Sequence, residues 1–187
     1  MMKRHIRSLC NIVEGLGREV VTGVEVGVWR GELSEALLRQ YPKLGLVMVD
    51  PWLPNEDDPI TLQHDIREAQ EIALARTAFA ADRRTMLETT SLNAAAGLSN
   101  FRFDFVFIDA CHQYRFVKED IQAWWPLVKP GGILCGHDYR QNKRKDWGVV
   151  QAVDEFAASY NREVVKMPGN VWWVFKEKND ADRPRPV

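Results

Sequence analysis

Residues 20–50 read VVTGVEVGVWRGELSEALLRQYPKLGLVMVD. Residues 20–28 are mostly β-branched and apolar, with glycine at 23 and 27. Such a run reads as a buried strand entering a tight turn. Residues 33–41 then carry apolar side chains at helical spacing, and Pro42 ends the pattern. Residues 44–49 form a second apolar strand closed by Asp50-Pro51. Strand, helix and strand with a crossover of this length make a βαβ unit, which requires the two strands to run parallel.

The same alternation continues on both sides. Upstream, Ile6, Leu9, Ile12, Val13 and Leu16 predict an opening helix that stops at Gly17. Downstream, residues 54–59 are an acidic, proline-bounded loop and 60–81 a long polar helix. A short strand is expected at 84–88, a short helix at 92–98, and the most apolar strand at 103–108, ending on Asp109. Residues 116–125 predict a helix stopped by Pro126, and Pro130-Gly131-Gly132 delivers the chain into a fifth strand over 128–135. A helix at 149–160 precedes a strand pair, 163–167 and 171–175, around Pro168-Gly169-Asn170. This pattern predicts a doubly wound, mostly parallel α/β sheet with an antiparallel final pair. One domain covers residues 1–177, and 178–187 read as a disordered tail. The aromatic strand 171–175 reads as an exposed edge at which two copies could pair into a homo-oligomer.

Composition narrows the partners. Lys+Arg 25 against Asp+Glu 26 leave a net charge of -1, so no overall field draws the protein to nucleic acid or an anionic membrane. A local basic patch remains open, and residues 140–145 are one candidate. Cys10, Cys111 and Cys135 form no CxxC pair, which points to a reducing compartment without a zinc ribbon or disulfide framework. The basic start lacks the apolar run of a secretory signal, and no apolar stretch approaches the length of a membrane span. The expectation is a cytoplasmic protein working on a small molecule.

In an open α/β sheet, ligands bind outside the carboxyl ends of the strands. Those ends here carry Glu25 to Gly31, Asp50 to Trp52, Thr90-Ser91, Asp109 to Tyr114 and Gly136 to Tyr139. Gly27 and Gly31 would let backbone approach a ligand closely, and Asp50 could accept hydrogen bonds from a ribose diol. Trp52 could then stack on an adenine. The GxGxxG of a dinucleotide site is absent, which counts against an NAD-dependent oxidoreductase.

The block Phe105-Val106-Phe107-Ile108-Asp109-Ala110-Cys111-His112-Gln113-Tyr114 is followed by Lys118-Glu119-Asp120-Ile121. Then come Trp124-Trp125-Pro126, Lys129-Pro130-Gly131-Gly132, Gly136-His137-Asp138-Tyr139 and a helix from Gly148-Val149 to Phe156. The ordered set resembles class I S-adenosylmethionine-dependent methyltransferases, in the group of small bacterial-type enzymes acting on sugars and antibiotic precursors. The resemblance implies a Rossmann-like, three-layer fold of seven strands with the last antiparallel. It also implies that S-adenosylmethionine is held by Glu25, Gly27, Gly31, Asp50 and Ser91, with Asp109 at its methionine end near the reaction.

Methyl transfer from a sulfonium needs an aligned acceptor that also loses its proton. Asp109, His112, His137 and Asp138 are the candidate catalytic residues, with His112 or His137 as a metal-free general base. Some relatives bind Mg²⁺ through aspartates matching Asp109 and Asp138 and a further aspartate where this chain has His137. A divalent metal on Asp109 and Asp138 is therefore a candidate cofactor, and the histidine favours Mn²⁺, Fe²⁺ or Zn²⁺ over Mg²⁺. Cys111 stands where many relatives carry an aspartate thought to act as base, and it reads as a small filler. The expected reaction is O-methylation of a sugar or other small hydroxylated metabolite. The rival is a non-catalytic module that only binds S-adenosylmethionine or S-adenosylhomocysteine. His5 and His64 receive no role.

Overall fold

A computed structural model describes residues 2–19, 21–54, 65–141 and 147–177. The acidic loop 55–59, His64, most of the 140–145 patch and the 178–187 tail lie outside the described residues. The elements are α1 (Arg4–Gly15), β1 (Val21–Val26), α2 (Glu32–Gln40), β2 (Leu44–Asp50), α3 (Ile66–Arg76) and β3 (Arg84–Glu88). They continue with α4 (Ser91–Gly97), β4 (Phe103–Ile108), α5 (Tyr114–Trp124), β5 (Val128–Gly136), α6 (Val149–Ser159), β6 (Val165–Met167) and β7 (Val171–Phe175).

The seven strands form one sheet in the order β3-β2-β1-β4-β5-β7-β6. Side chains alternate across it, as the two-residue period requires. Phe105 and Phe107 of β4 enter one core with α1, α2 and α3, while Val106 and Ile108 enter a second core with α4, α5 and α6. The result is three layers, with helices on both faces of the sheet. Gly23 belongs to this packing: a Cβ there would lie 2.1 Å from the Phe105 ring.

Two expectations change in detail. Of the polar helix read over 60–81, residues 60–64 lie outside the described residues; Ile66–Arg76 is helical, and a short 3-10 turn follows at Ala78–Ala80. Asp65 caps α3 by accepting from the Glu68 N–H at 3.0 Å. The last strand, β7, is antiparallel as expected, but it is no edge. It pairs antiparallel with β5 on one side and β6 on the other, and Val171, Trp172 and Val174 are buried. The edge strands are β3 and β6, so β7 cannot supply the homo-oligomer contact suggested for it.

The chain turns from one half of the sheet to the other between β1 and β4. Such a switch point opens a crevice at the strand ends, because the connections leave in opposite directions. Backbone ladders continue past both strands there: Gly27 N–H donates to Val49 O at 2.9 Å, and Asp109 N–H to Val26 O at 2.8 Å. Among the described residues, no helix is long and apolar enough to cross a membrane.

Candidate active site

The glycine turn after β1 is built around Asp50. One carboxylate oxygen accepts the N–H groups of Val28 and Trp29, each at 2.9 Å, and the other accepts the Trp52 N–H at 2.8 Å. This clasp holds Trp29 and Trp52 at φ 53° and 42°, a region side chains seldom occupy. A carboxylate has about four acceptor positions. Three are used here, so Asp50 has room for one further donor beyond the clasp, one fewer than a full ribose diol brings. Gly27 (φ 90°) is required by the sheet itself, since a Cβ would sit 2.2 Å from the Asp109 carbonyl oxygen. Gly31 (φ 70°) faces Ala73 of α3 at 3.0 Å.

Glu25 lies beneath this turn, 2% exposed, and accepts a hydrogen bond from Ser34 Oγ. Burial pushes its carboxyl up to about 8; the Ser34 hydrogen bond opposes the rise, and the Asp109 and Asp50 charges add to it. Trp52 is 2% exposed, and its indole N–H donates to Trp29 O at 3.0 Å. Its ring is a wall of the first core and presents no open face for an adenine. Ser91 opens α4, where its hydroxyl accepts from Trp124 Nε1 at 2.9 Å and bonds to buried Asp120. Burial pushes the Asp120 carboxyl up to about 6, against the Ser91 hydrogen bond.

Asp109, His112, His137 and Asp138 come together at the ends of β4 and β5. His137 N–H donates to Ile108 O at 3.1 Å, which locks the two strand ends side by side. His137 Nδ1 lies 3.4 Å from Asp109 Oδ1 and 3.4 Å from Asp138 Oδ2. Burial disfavours the imidazolium, but the two carboxylates outweigh it and raise His137 to about 10. Burial also pushes the Asp138 carboxyl up, yet the His112 and His137 imidazoles hold it well below the usual range. His137 is therefore protonated near neutrality, which makes it a poor general base there. In this form its positive charge sits between two carboxylates.

Sequence reasoning missed two ring neighbours, His5 and Trp147. The His5 ring packs against His137, centroids 4.7 Å apart. It arrives on α1, more than a hundred residues away in the chain, and no local spacing signals it. Trp147 stacks on His112 at 4.7 Å and 16°, and the Arg140 guanidinium lies 4.8 Å from the Trp147 ring. Tyr139, at the end of the Gly136 to Tyr139 segment, donates its hydroxyl to Asp154 of α6.

Asp109, His137 and Asp138 offer ligand atoms that all lie within 4.8 Å of one another. Two carboxylates and an imidazole fit a divalent first-row metal.

The pattern of the family described as "Methyltransferase domain" matches residues 24–139, from the glycine turn through the His-Asp-Tyr segment. The chain belongs to this methyltransferase family. Its fold and family make it a class I S-adenosylmethionine-dependent methyltransferase. An uncharacterized protein of Acanthamoeba polyphaga mimivirus is 26% identical over 159 residues, covering 82% of this chain and 67% of its own. A Burkholderia thailandensis O-methyltransferase family protein superposes with TM-score 0.60 at 17% identity, over 94% of this chain; the match spans only 58% of that longer protein. Human methyltransferase-like protein 13, solved in complex with SAH, has TM-score 0.63 at 16% identity, over 94% of this chain and 82% of its own. At these identities the two solved structures speak for the fold.

Proposed function

We propose that this methyltransferase moves the methyl group of S-adenosylmethionine to a hydroxyl of a sugar or another small hydroxylated metabolite. The observation that carries the reading is Asp109. It belongs at once to the β1/β4 crevice, where its backbone meets Gly27, and to the carboxylate–imidazole cluster. A methyl donor laid along the glycine turn ends where groups able to handle an acceptor's proton are gathered.

The acceptor oxygen attacks the methyl carbon in line with the departing sulfur, giving S-adenosylhomocysteine, a methyl ether and one proton. Holding the two in line supplies much of the rate. Asp50 takes a ribose hydroxyl on its remaining acceptor position, beside the glycine turn that it braces. The start of α4, at Ser91, bounds the adenine end. Asp109, His137 and Asp138 would hold a divalent metal, which when bound lowers the pKa of a hydroxyl beside it. The near-zero net charge suits a small acceptor better than a nucleic acid.

The test combines binding and turnover. Thermal-shift titration with S-adenosylmethionine, S-adenosylhomocysteine and NAD⁺ comes first; a ligand at about one hundred times its Kd stabilises by roughly 2.7 kcal/mol. Mass spectrometry of reactions with hydroxylated sugars and phenols, with and without Mn²⁺ or Mg²⁺, follows. Stabilisation by the sulfur ligands alone, with acceptor-dependent formation of S-adenosylhomocysteine, is the expected result. Binding without turnover on any hydroxyl acceptor would leave a cofactor-binding module, and failure of both sulfur ligands to bind would overturn the reading.

A further inference from the structure

We propose that His112 is a fourth ligand of the metal site, making it a two-histidine, two-carboxylate centre that selects a first-row transition metal over Mg²⁺. The inference rests on the metal reading above and extends it to a residue outside the Asp109–His137–Asp138 set.

The first argument is spacing. His112 Nε2 lies 2.8 Å from Asp138 Oδ2 and 3.9 Å from Asp109 Oδ1. With metal–ligand bonds of about 2.1 Å, neighbouring donors sit about 3.0 Å apart in an octahedral shell and about 3.4 Å in a tetrahedral one. The His137 contacts at 3.4 Å and the His112–Asp138 contact at 2.8 Å are close to those values, while the 3.9 Å from His112 to Asp109 approaches the roughly 4.2 Å of an opposed pair in an octahedral shell.

The second argument is that His112 Nε2 is buried and has no hydrogen-bond partner. Asp138 Oδ2 is near enough to accept, yet the geometry misses the ring's N–H direction. A buried polar atom without a partner calls for an explanation. Neighbouring ligands on one metal produce this arrangement, because each lone pair points at the ion and not at the adjacent donor.

The third argument is orientation. Trp147 stacks on the His112 ring at 16°, and the Gly148 N–H donates to His112 O at 2.8 Å. Arg140 Nε lies 3.2 Å from Asp138 Oδ1, which leaves Oδ2 as the oxygen facing both imidazoles. Partners of this kind commonly fix the direction of metal ligands. Two nitrogen donors disfavour Mg²⁺, which prefers carboxylates and water, and suit Mn²⁺, Fe²⁺, Co²⁺ or Zn²⁺.

The experiment uses chelator-stripped full chain loaded with Mn²⁺, Co²⁺ or Mg²⁺, without any acceptor. Pulsed EPR of the wild-type Mn²⁺ form should count two coordinated imidazole nitrogens, a readout that needs no variant. His112→Gln should weaken Co²⁺ binding about tenfold or more and change the Co²⁺ visible spectrum. The thermal shift with S-adenosylmethionine should stay as in wild type, which also shows that the variant is folded. One imidazole, or an unchanged Co²⁺ affinity and spectrum in His112→Gln, would overturn the fourth ligand and leave the three-residue site standing. Wild-type protein that takes up none of the three metals would overturn both metal readings and leave the cofactor reading to its own titration.

Discussion

Replacing Glu25 by glutamine should make the protein's stability less dependent on pH, with a sign and size that follow from burial. The Glu25 carboxyl is 2% exposed and raised from an ordinary 4.5 to about 8. Between those values the folded chain keeps a proton that the unfolded chain releases. Stability from this group is thus complete below about pH 4.5 and is lost as pH rises toward 8. At about 1.36 kcal/mol per pH unit, the full loss is about 5 kcal/mol, of which about 3 has accrued by pH 7. Glutamine has the same shape, can still accept from Ser34 and carries no proton to lose. Urea unfolding of both proteins at pH 5, 6, 7 and 8 measures the difference. His137 contributes to both curves and cancels. The advantage of Glu25→Gln over wild type should grow by several kcal/mol from pH 5 to 8. A constant difference across that range would refute the reasoning, because the carboxyl would then be ionised in the folded state despite its burial.

Asp50→Ala removes the acceptor of three backbone N–H groups at the glycine turn. It should cost about 1–3 kcal/mol in urea unfolding and abolish the thermal shift with S-adenosylmethionine; a retained shift would remove Asp50 from the cofactor site. Gly27→Ala places a methyl 2.2 Å from the Asp109 carbonyl oxygen at φ 90°. Its unfolding free energy should drop by about 3 kcal/mol or more, and a neutral result would mean that the β1 and β4 ends can separate. His5→Ala takes away the ring packed on His137. It should slow methyl transfer in steady-state assays while leaving the cofactor-induced thermal shift intact, and equal turnover would make His5 a packing residue only.

The strands were legible because both faces of the sheet are covered, so β1, β2 and β4 appear as mainly apolar runs despite Glu25 in β1 and Asp104 in β4. The glycine turn and the aspartates at the ends of β2 and β4 followed from the rule for open sheets. What escaped was information held between distant segments. The turn at 168–170 pairs 171–175 with 163–167, but nothing near Val171–Phe175 says that β5 lies on its other side, so an interior strand looked like an edge. The end of α3 was equally hidden. Ala, Glu and Arg continue past Arg76 or near it in the sequence, whereas the helix stops where the Thr77 hydroxyl bonds to Ala73 O at 2.8 Å. Trp52 could be placed after β2, but whether its ring faced a ligand or the core depended on Trp29, twenty-three residues away. His5 near His137 and Trp147 on His112 are tertiary facts of the same kind.

The bonds from Asp109 N–H to Val26 O and from His137 N–H to Ile108 O belong to the central ladder of the sheet. Strand-end amides held this way exchange with solvent only when the surrounding sheet opens, often at the cost of global unfolding. The carboxylate–imidazole cluster therefore shares the lifetime of the whole fold. His5 reaches the cluster from α1, whose Leu9, Cys10 and Val13 are buried in the first core against the sheet. The site thus joins strand ends fixed by the central ladder to a helix seated in the core, so its distances last as long as the fold does.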